Sequence, residues 1–297
     1  MPGLNYVWQK YPHVVRLGHR TTEGWFQPGD DIIVQEKLDG ANASFLRDGD
    51  TIRCYSRNIE LSDTSTLRGF HGWVHEHINV DDLLPGYVYY GEWLTRHKLD
   101  YGDNADKFYL FDVWDVGTNT WLDDRRRYGE ATRLDVTLVP TLYVGPYVDE
   151  EHLVQFVGQS KLASHGEGIV VKHWTPKQDE QGNLVHVKLV TPEFSEARGV
   201  KKIRDPNVGA TEREFVETYV TPTRIHKAVE RVAETDGTFL LPLHADDLGV
   251  AIPLVTTAVY EDALDEEGES LSGAYDDKLL RKQVGRIVAP ILRQMAV

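Results

Sequence analysis

The sequence predicts an α+β protein with a strand-rich first unit and a smaller, mostly helical second unit. In the first 190 residues, short runs of β-branched and aromatic residues are separated by turn-forming residues, a pattern typical of strands. Beyond residue 195, apolar residues recur at helical spacing instead. The hydrophobic fraction of 41% and the charged fraction of 27% are ordinary for a globular chain, so a packed core is expected.

The first unit is predicted to contain alternating strands and helices. Residues 48–50 (Asp-Gly-Asp) are a hairpin signal between two of the strands. One helix is indicated because Phe70, Trp73 and Val74 fall near one face of a helical wheel. The predicted strands are 31–37, 43–47, 51–55, 87–94, 108–114, 136–144, 168–173 and 184–190, and the predicted helices are 66–78, 122–133 and 149–159.

The second unit is predicted from a change of pattern near residues 195–208. We expect one domain at 1–200 and a second at 201–297. Helical periodicity covers 211–234, interrupted near Pro222, and 276–296.

The charge limits how the protein can contact nucleic acid. The 32 basic and 47 acidic residues give a net charge of −15, which argues against a surface that is basic throughout. A nucleic-acid role therefore requires a local basic groove. The single cysteine, Cys54, cannot form an intrachain disulfide, and no signal peptide or membrane helix is indicated, so we expect a cytoplasmic protein. Twelve histidines are present, but we find no His-x₃-His pair on a convincing helix and predict no zinc site.

Two short motifs could carry chemistry. In the first, Lys37 ends a strand and is followed by an apolar residue, Asp39 and Gly40. Alone, this reads either as an ordinary turn or as a nucleophilic lysine, which must lose its proton to attack. In the second, Glu167 and Lys172 bracket a glycine and an apolar run. These two residues point to opposite faces of an extended strand unless Gly168 permits an irregularity, and surface charge is the alternative interpretation.

Four further motifs are individually unremarkable, and their order along the chain is the informative feature. They are Ser56-Arg57-Asn58, Tyr90-Gly91-Glu92-Trp93, Phe111-Asp112-Val113 and Val187-Lys188-Leu189.

With these motifs in this order, the chain resembles the covalent nucleotidyltransferase superfamily of ATP-dependent DNA and RNA ligases and capping enzymes. Within it, the chain is most similar to the bacteriophage-type RNA ligase 2 family. Glu36 and Asn42 match the first motif of that family, and a helical segment follows where DNA ligases carry an OB domain. The resemblance implies an ATP-grasp-like catalytic domain of antiparallel sheets with flanking helices.

The resemblance also implies a reaction and its cofactors. It implies an ATP-dependent RNA ligase that seals 3′-hydroxyl/5′-phosphate nicks in duplex RNA or RNA-containing hybrids. The Lys37 amine attacks the α-phosphate of ATP, AMP moves from lysyl-AMP to the 5′-phosphate end, and the 3′-hydroxyl displaces it. Lys172 and Lys188 hold the α-phosphate, and their charge favours the neutral amine of Lys37. Mg²⁺ or Mn²⁺ completes the neutralisation, with Glu167 as the metal-linked carboxylate. We expect a monomer that binds nicked duplex and no membrane.

The remaining roles are also implied by the resemblance. Phe111 stacks on adenine, and the other nucleotide contacts come from Glu36, Asp39, Asn42, Arg57 and Glu92. Asp39 and Asn42 can equally be turn residues. Basic clusters at 96–98 and 201–204 are candidate RNA contacts, whereas 125–127 reads mainly as a solvated helix face.

Two departures from the family pattern keep alternatives open. Asp39 stands where the family often has His, and the Asp form is typical of DNA ligases, so a small DNA ligase is one alternative. The last family motif has two lysines, but here His186 precedes Lys188 by two residues. Either His186 substitutes in part or one phosphate contact is missing, which makes a weakened end-binding protein the other alternative.

Overall fold

The computed structural model describes residues 8–95, 99–180, 182–195, 211–271 and 275–297, without the side chains of residues 20 and 236. The chain divides after Thr191 into two compact units. The first contains two mainly antiparallel sheets with flanking helices, and the second is helical, which confirms the predicted α+β class. The predicted boundary at 200/201 lies outside the described residues and stays a prediction.

The elements are named in chain order. The strands are β1 (Val15–Arg16), β2 (Asp31–Lys37), β3 (Ala41–Asp48), β4 (Thr51–Ser56), β5 (Tyr87–Leu94), β6 (Lys107–Asp115), β7 (Thr120–Trp121), β8 (Thr137–Leu138), β9 (Thr141–Pro146), β10 (Gly168–His173) and β11 (His186–Val190). The helices are α1 (Phe70–His77), α2 (Asp124–Arg133), α3 (Glu150–Val154), α4 (Glu212–Tyr219), α5 (Pro222–Asp236), α6 (Leu248–Glu267) and α7 (Asp277–Met295).

The two sheets of the first unit have different strand orders. The five-stranded sheet runs β1-β11-β10-β2-β9, and the six-stranded sheet runs β4-β3-β5-β6-β7 with β8 also paired to β6. Neighbours are antiparallel except for the parallel pairs β1–β11 and β6–β8. One face of each sheet packs against helices: the six-stranded sheet against Phe70, Val74 and Ala131 of α1 and α2, and the five-stranded sheet against Leu153 of α3. On its other face the six-stranded sheet carries a second buried cluster that includes Leu46, Val88 and Tyr90.

The predicted strand at 136–144 is wrong as a single element. Its first part, β8, pairs with β6 of the six-stranded sheet, whereas its second part, β9, pairs with β2 of the five-stranded sheet. The change of sheet occurs around Pro140, whose carbonyl accepts a hydrogen bond from the Glu36 N–H at 2.8 Å. The predicted helix at 149–159 is also shorter than expected, since α3 ends at Val154.

In the described residues of the second unit, four helices pack around one apolar cluster that includes Val255, Val259 and Val288. Thr221 caps the N-terminus of α5 and Pro222 occupies its first turn, which explains the predicted interruption. The helix α6 was not predicted. Among the described residues, no helix combines the length and apolar character that crossing a membrane requires.

Candidate functional site

Three lysines lie on one face of the five-stranded sheet. In the register of its central strands, Gly168 is opposite Lys37, and Val170 is opposite Lys188. Residues directly opposite each other share a face, as do alternate residues along one strand, so Lys172 lies on that face as well. The sheet therefore brings together the three residues predicted as catalytic.

Lys37 forms an ion pair with Glu167 at the end of β2. Its Nζ donates to Glu167 Oε2 at 2.8 Å, and the glutamate side chain is only 1% exposed. Glu167 comes immediately before β10, so strand alternation does not set its direction. The next residue must be glycine, because a Cβ on Gly168 would lie 2.1 Å from the Leu189 carbonyl oxygen. The Lys37 side chain is thus held by an acidic partner and would have to leave it to reach a bound phosphate.

Lys172 connects the two sheets. Its Nζ donates to Asp112 Oδ2 at 2.7 Å and to the Phe111 carbonyl at 3.1 Å. The same nitrogen lies 5.6 Å from the centre of the Phe111 ring. Burial lowers the pKa of Lys172 to about 8, although Asp112 opposes that shift. A lysine ammonium has three donors, so these two bonds leave one for a bound anion.

A bulge in β6 places Phe111 at this point. Tyr90 is opposite Asp112, whereas the next residue, Gly91, is opposite Leu110, so Phe111 is the extra residue. Position 91 must be glycine, because a Cβ there would lie 2.2 Å from the ring of the neighbouring Phe108. The bulge leaves the Phe111 side chain half-buried, as an aromatic that stacks on a base must be.

Arg127 supports the bulge, and its role was missed in the sequence. The residue was expected on a solvated helix face, but it is buried on α2 and its Nη1 donates to the Phe111 carbonyl at 2.7 Å. Arg126 next to it donates to the Tyr87 hydroxyl at 2.9 Å. A run of three arginines carries no local signal that one of them turns inward.

The loop after Lys37 is fixed by Asp39. Its side chain is buried, and Oδ2 accepts a hydrogen bond from the Leu99 N–H at 3.2 Å. Its own N–H donates to the Tyr101 hydroxyl at 2.8 Å. These contacts give Asp39 a positioning role in the loop, one of the two roles that the sequence left open.

Glu92 and Asn42 face each other across β5 and β3. Glu92 Oε1 accepts a hydrogen bond from the Gly40 N–H at 3.2 Å, which ties β5 to the loop behind Lys37. Arg57, just after β4, contacts His13 Nδ1 through Nη2 at 2.7 Å and is half-buried. Asn42 and Glu92 thus share the face of the six-stranded sheet that also carries Leu46 and Tyr90, and Arg57 lies at the edge of that sheet.

Glu36 does not join the site, which corrects the prediction from the first motif. Because it neighbours Lys37 on a strand, it points to the opposite face of the sheet. There its carboxylate accepts hydrogen bonds from the Ser160 hydroxyl and, at 2.9 Å, from the Lys161 N–H. Burial raises the pKa of Glu36, and its role is to hold the loop that leads to Glu167.

His186 does not replace the second lysine of the last motif. It is fully buried, with Nε2 3.0 Å from the His13 carbonyl and Nδ1 3.1 Å from the Tyr11 hydroxyl. Burial, with the nearby charge of Lys172, lowers the pKa of His186 to about 4. The imidazole is therefore neutral at physiological pH and supplies no cation to a phosphate.

Gln35 is a further candidate that the sequence did not reveal. It lies between Ile33 and Lys37 on the lysine face, and its buried Nε2 has no hydrogen-bond partner among the described residues. An unmatched buried amide next to a lysine cluster fits a ligand that carries both phosphates and hydrogen-bonding groups, as a nucleotide does. Within the described part of the chain, no three His, Cys, Asp or Glu residues form a metal site. A divalent ion would therefore be held mainly by phosphate oxygens, with Glu167 as the nearby carboxylate.

Two predicted RNA contacts cannot be placed. The basic clusters at 96–98 and 201–204 lie outside the described residues.

The comparison with protein families agrees with this geometry. The family model for RNA ligase matches residues 30–190, which is more than half of the chain. The chain belongs to the RNA ligase family. A comparison with curated proteins finds no match.

Solved structures of an RNA ligase from Naegleria gruberi are similar to this member of the family. One variant with ATP and Mn has a TM-score of 0.50 and 21% identity, over 64% of this chain and 58% of that chain. Another variant with ATP and Mn has a TM-score of 0.49 at 21% identity, over 65% and 59%. The chain thus spans less than two thirds of the ligase that it matches. At 21% identity, the match with a TM-score of 0.50 shows a shared fold.

Proposed function

We propose that this chain is an ATP-dependent RNA ligase that seals 3′-hydroxyl/5′-phosphate nicks in duplex RNA or RNA-containing hybrids through lysyl-AMP on Lys37. The observation that carries the proposal is the convergence of Lys37, Lys172 and Lys188 on one sheet face in a member of the RNA ligase family. Phosphoryl transfer depends mainly on positioning and on positive charge around the phosphorus. The Naegleria ligase with ATP and Mn has the same fold, which supports ATP and a divalent ion, Mg²⁺ or Mn²⁺, as cofactors here.

In the first step, Lys37 exchanges its ion pair with Glu167 for the α-phosphate of ATP. The Lys37 ammonium gives its proton to solvent, the neutral amine forms a nitrogen–phosphorus bond, the bond from phosphorus to the bridging oxygen breaks, and pyrophosphate leaves. Lys172 and Lys188 hold the phosphate oxygens on the same face. A divalent ion would neutralise the phosphate charge further, beside the carboxylate that Lys37 has vacated.

The later steps use the same site. The 5′-phosphate end of the nick displaces Lys37 from the AMP, and the 3′-hydroxyl then attacks that end and releases AMP. Phe111 stacks on adenine. The polar contacts to the nucleotide come from Gln35, Arg57, Glu92 and Asn42. Asp39 acts on the reaction through the loop that positions Lys37.

Covalent labelling tests this mechanism directly. The protein is incubated with α-labelled ATP and Mg²⁺ and then denatured before electrophoresis. We expect label on the wild-type chain and none on Lys37→Ala. The matched control is Lys107→Ala, since Lys107 is an exposed lysine of the same unit. Absence of label on the wild-type chain with any nucleotide contradicts the covalent mechanism.

Nicked duplexes with different strands test the substrate. We expect sealing of all-RNA nicks and of nicks with RNA on the 3′-hydroxyl side, and much slower sealing of all-DNA nicks. Equal sealing rates on these three kinds of nick identify a DNA ligase instead. We propose a cytoplasmic, monomeric RNA-repair enzyme, and the buried free thiol of Cys54 suits a reducing compartment.

A second candidate is an end-binding protein that transfers AMP but joins ends poorly. It is favoured by His186, which is neutral where the family has a lysine. Transfer of AMP to a 5′-phosphate without joining supports this candidate, and multiple-turnover sealing excludes it.

A further inference from the structure

Two histidines on α1 are aligned as a pair. His71 and His75 are separated by one helical turn, and their Nε2 atoms lie 3.2 Å apart. The ring centres are 4.5 Å apart. The sequence analysis, which found no such pair on a convincing helix, was therefore wrong on this point. Histidines at this spacing lie on one side of a helix and can reach one metal ion.

The distance between the two nitrogens fits ligation of one ion. With zinc–nitrogen bonds of about 2.0–2.1 Å and a tetrahedral angle, two ligating nitrogens lie about 3.3 Å apart. The observed 3.2 Å is close to that value before any ion is added. Little rearrangement is needed, because Phe70 and Val74 of the same helix are fully buried and fix its position on the sheet.

Asp63, whose own side chain is 99% exposed, lies beside one of the two rings. Its Oδ1 lies 3.5 Å from His71 Nδ1, on the side of the imidazole that faces away from His75. A carboxylate at this position favours the tautomer with the proton on Nδ1 and leaves the Nε2 lone pair available. The side chain of His71 is only 15% exposed, which limits its alternative orientations.

We propose that His71 and His75 bind Zn²⁺, with Asp63 as the residue that orients His71. Imidazole nitrogen suits zinc, whereas Mg²⁺ and Mn²⁺ prefer oxygen ligands, so this site differs in kind from the nucleotide-linked metal. No third protein ligand completes the site within the described residues, so water fills the remaining positions and micromolar affinity is expected. The site is on the helix-covered face of the six-stranded sheet, and the proposal is independent of ligase activity.

Zinc binding at this position should stabilise the folded chain. The unfolded chain does not hold the two imidazoles together, so the ion binds the native state preferentially. We therefore expect the melting temperature to rise with Zn²⁺ concentration until the site is saturated. The same concentrations of Mg²⁺ should leave the melting temperature unchanged.

Calorimetric titration of ZnCl₂ into the full chain, without a histidine tag, tests the proposal. We expect one Zn²⁺ bound with micromolar affinity per chain, at least tenfold weaker binding in His71→Ala and in His75→Ala, and loss of the melting shift in both. His77→Ala is the matched control, since His77 is an exposed histidine of the same helix that contacts only the Trp73 carbonyl and ring.

Asp63→Asn distinguishes an oriented site from two accessible imidazoles. We expect it to weaken Zn²⁺ binding about tenfold. Unchanged melting temperatures of the variants without zinc confirm that they are folded. The proposal is overturned if the wild-type chain shows no micromolar binding, or if His77→Ala loses as much affinity as His71→Ala.

Discussion

In the mechanism that we propose, Lys37 exchanges one charged partner for another. In the structure its ammonium is held by Glu167, whose side chain is almost completely buried. Removing one member of such a pair leaves the other charge uncompensated in a poorly solvated position. The exchange is therefore favourable only when other charged groups compensate both the Lys37 ammonium and the Glu167 carboxylate. Nucleotide phosphates on the lysine face and a divalent ion beside Glu167 would together meet that requirement, so the proposed mechanism couples release of Lys37 to substrate binding.

The proposed phosphate contact of Lys172 predicts a nucleotide affinity that depends on pH. Burial lowers its pKa to about 8 in the structure. Below that pH the side chain is a cation that can hold a phosphate, and above it the charge is lost. We expect the Kd for ATP to increase as pH rises from 7 to 9.5, approaching a tenfold increase per pH unit above 8. The measurement is a calorimetric titration of ATP in a Lys37→Met background, in which no covalent product forms.

The control for this prediction is Lys172→Met in the same background. It should bind ATP weakly at pH 7, with a much flatter profile up to pH 9.5. An equally steep profile in the absence of Lys172 shows that another group is responsible.

At the scale of single residues, the sequence grouped the lysines of the proposed site but not the residues that support them. Lys37, Lys172 and Lys188 were identified from ordered motifs, and the sheet register places all three on one face. The first motif assigned Glu36 to the site. Alternation along a strand, however, places its side chain on the other face of the sheet from that of Lys37. Arg127 could not be found locally, because its partner is a carbonyl exposed by a bulge in a distant strand.

At the scale of elements, β10 depends on the absence of a side chain at Gly168. We expect Gly168→Ala to destabilise the chain by about 2–4 kcal/mol, since its Cβ would overlap the Leu189 carbonyl, and to lower adenylylation by displacing Glu167. Urea unfolding and labelling with ATP measure the two effects. Gly72→Ala on α1 is the control, because a Cβ there meets no atom within 4 Å and alanine favours the helix by about 1 kcal/mol. Equal effects of the two substitutions contradict this account.

The elements that the sequence failed to predict have identifiable causes. Helix α6 is rich in β-branched residues and contains Pro253, both unfavourable locally, but its buried side chains fill the centre of the second unit. The division of 136–144 into β8 and β9 follows from pairing with two different sheets. Neither local propensity nor periodicity reports such long-range pairing.

Helix α7 presents a row of cations suited to a phosphate backbone. Lys278, Lys282, Arg286 and Arg293 fall within a stripe of about 80° along the helix. All four side chains are exposed and have no hydrogen-bond or ion-pair partner among the described residues. Arg281, by contrast, pairs with Asp277.

We therefore predict that α7 contacts duplex RNA. The double variant Lys282→Ala/Arg286→Ala should bind a nicked RNA duplex more weakly. The slope of log Kd against log salt concentration should fall by the contribution of about two phosphate contacts. Fluorescence anisotropy over a range of salt concentrations measures both. The control is Arg213→Ala, since this exposed arginine of the same unit pairs with Glu217 on its own helix. If the double variant shows the same salt dependence as the wild type, other residues bind the RNA.

At the scale of the whole molecule, the net charge determines where RNA can bind. The first 200 residues contain 30 acidic and 20 basic residues, and the remainder contains 17 and 12, so both parts repel a polyanion on average. The cations on the lysine face and on α7 are therefore local exceptions on an acidic protein. Such an arrangement concentrates phosphate binding at a few places and disfavours non-specific binding along a duplex.

This charge distribution predicts a preference for nicks over intact duplex. At about 150 mM salt we expect a 5′-phosphorylated nick in RNA to bind at least about tenfold more tightly than the same duplex without a nick, because only the nick presents a terminal phosphate to the lysine face. Anisotropy with Lys37→Ala measures binding without turnover, and a nick with a 5′-hydroxyl is the control, which should bind like intact duplex. Lowering the salt concentration should strengthen binding to both duplexes and narrow their difference. Tight binding to intact duplex at 150 mM salt contradicts a locally basic site on an acidic surface.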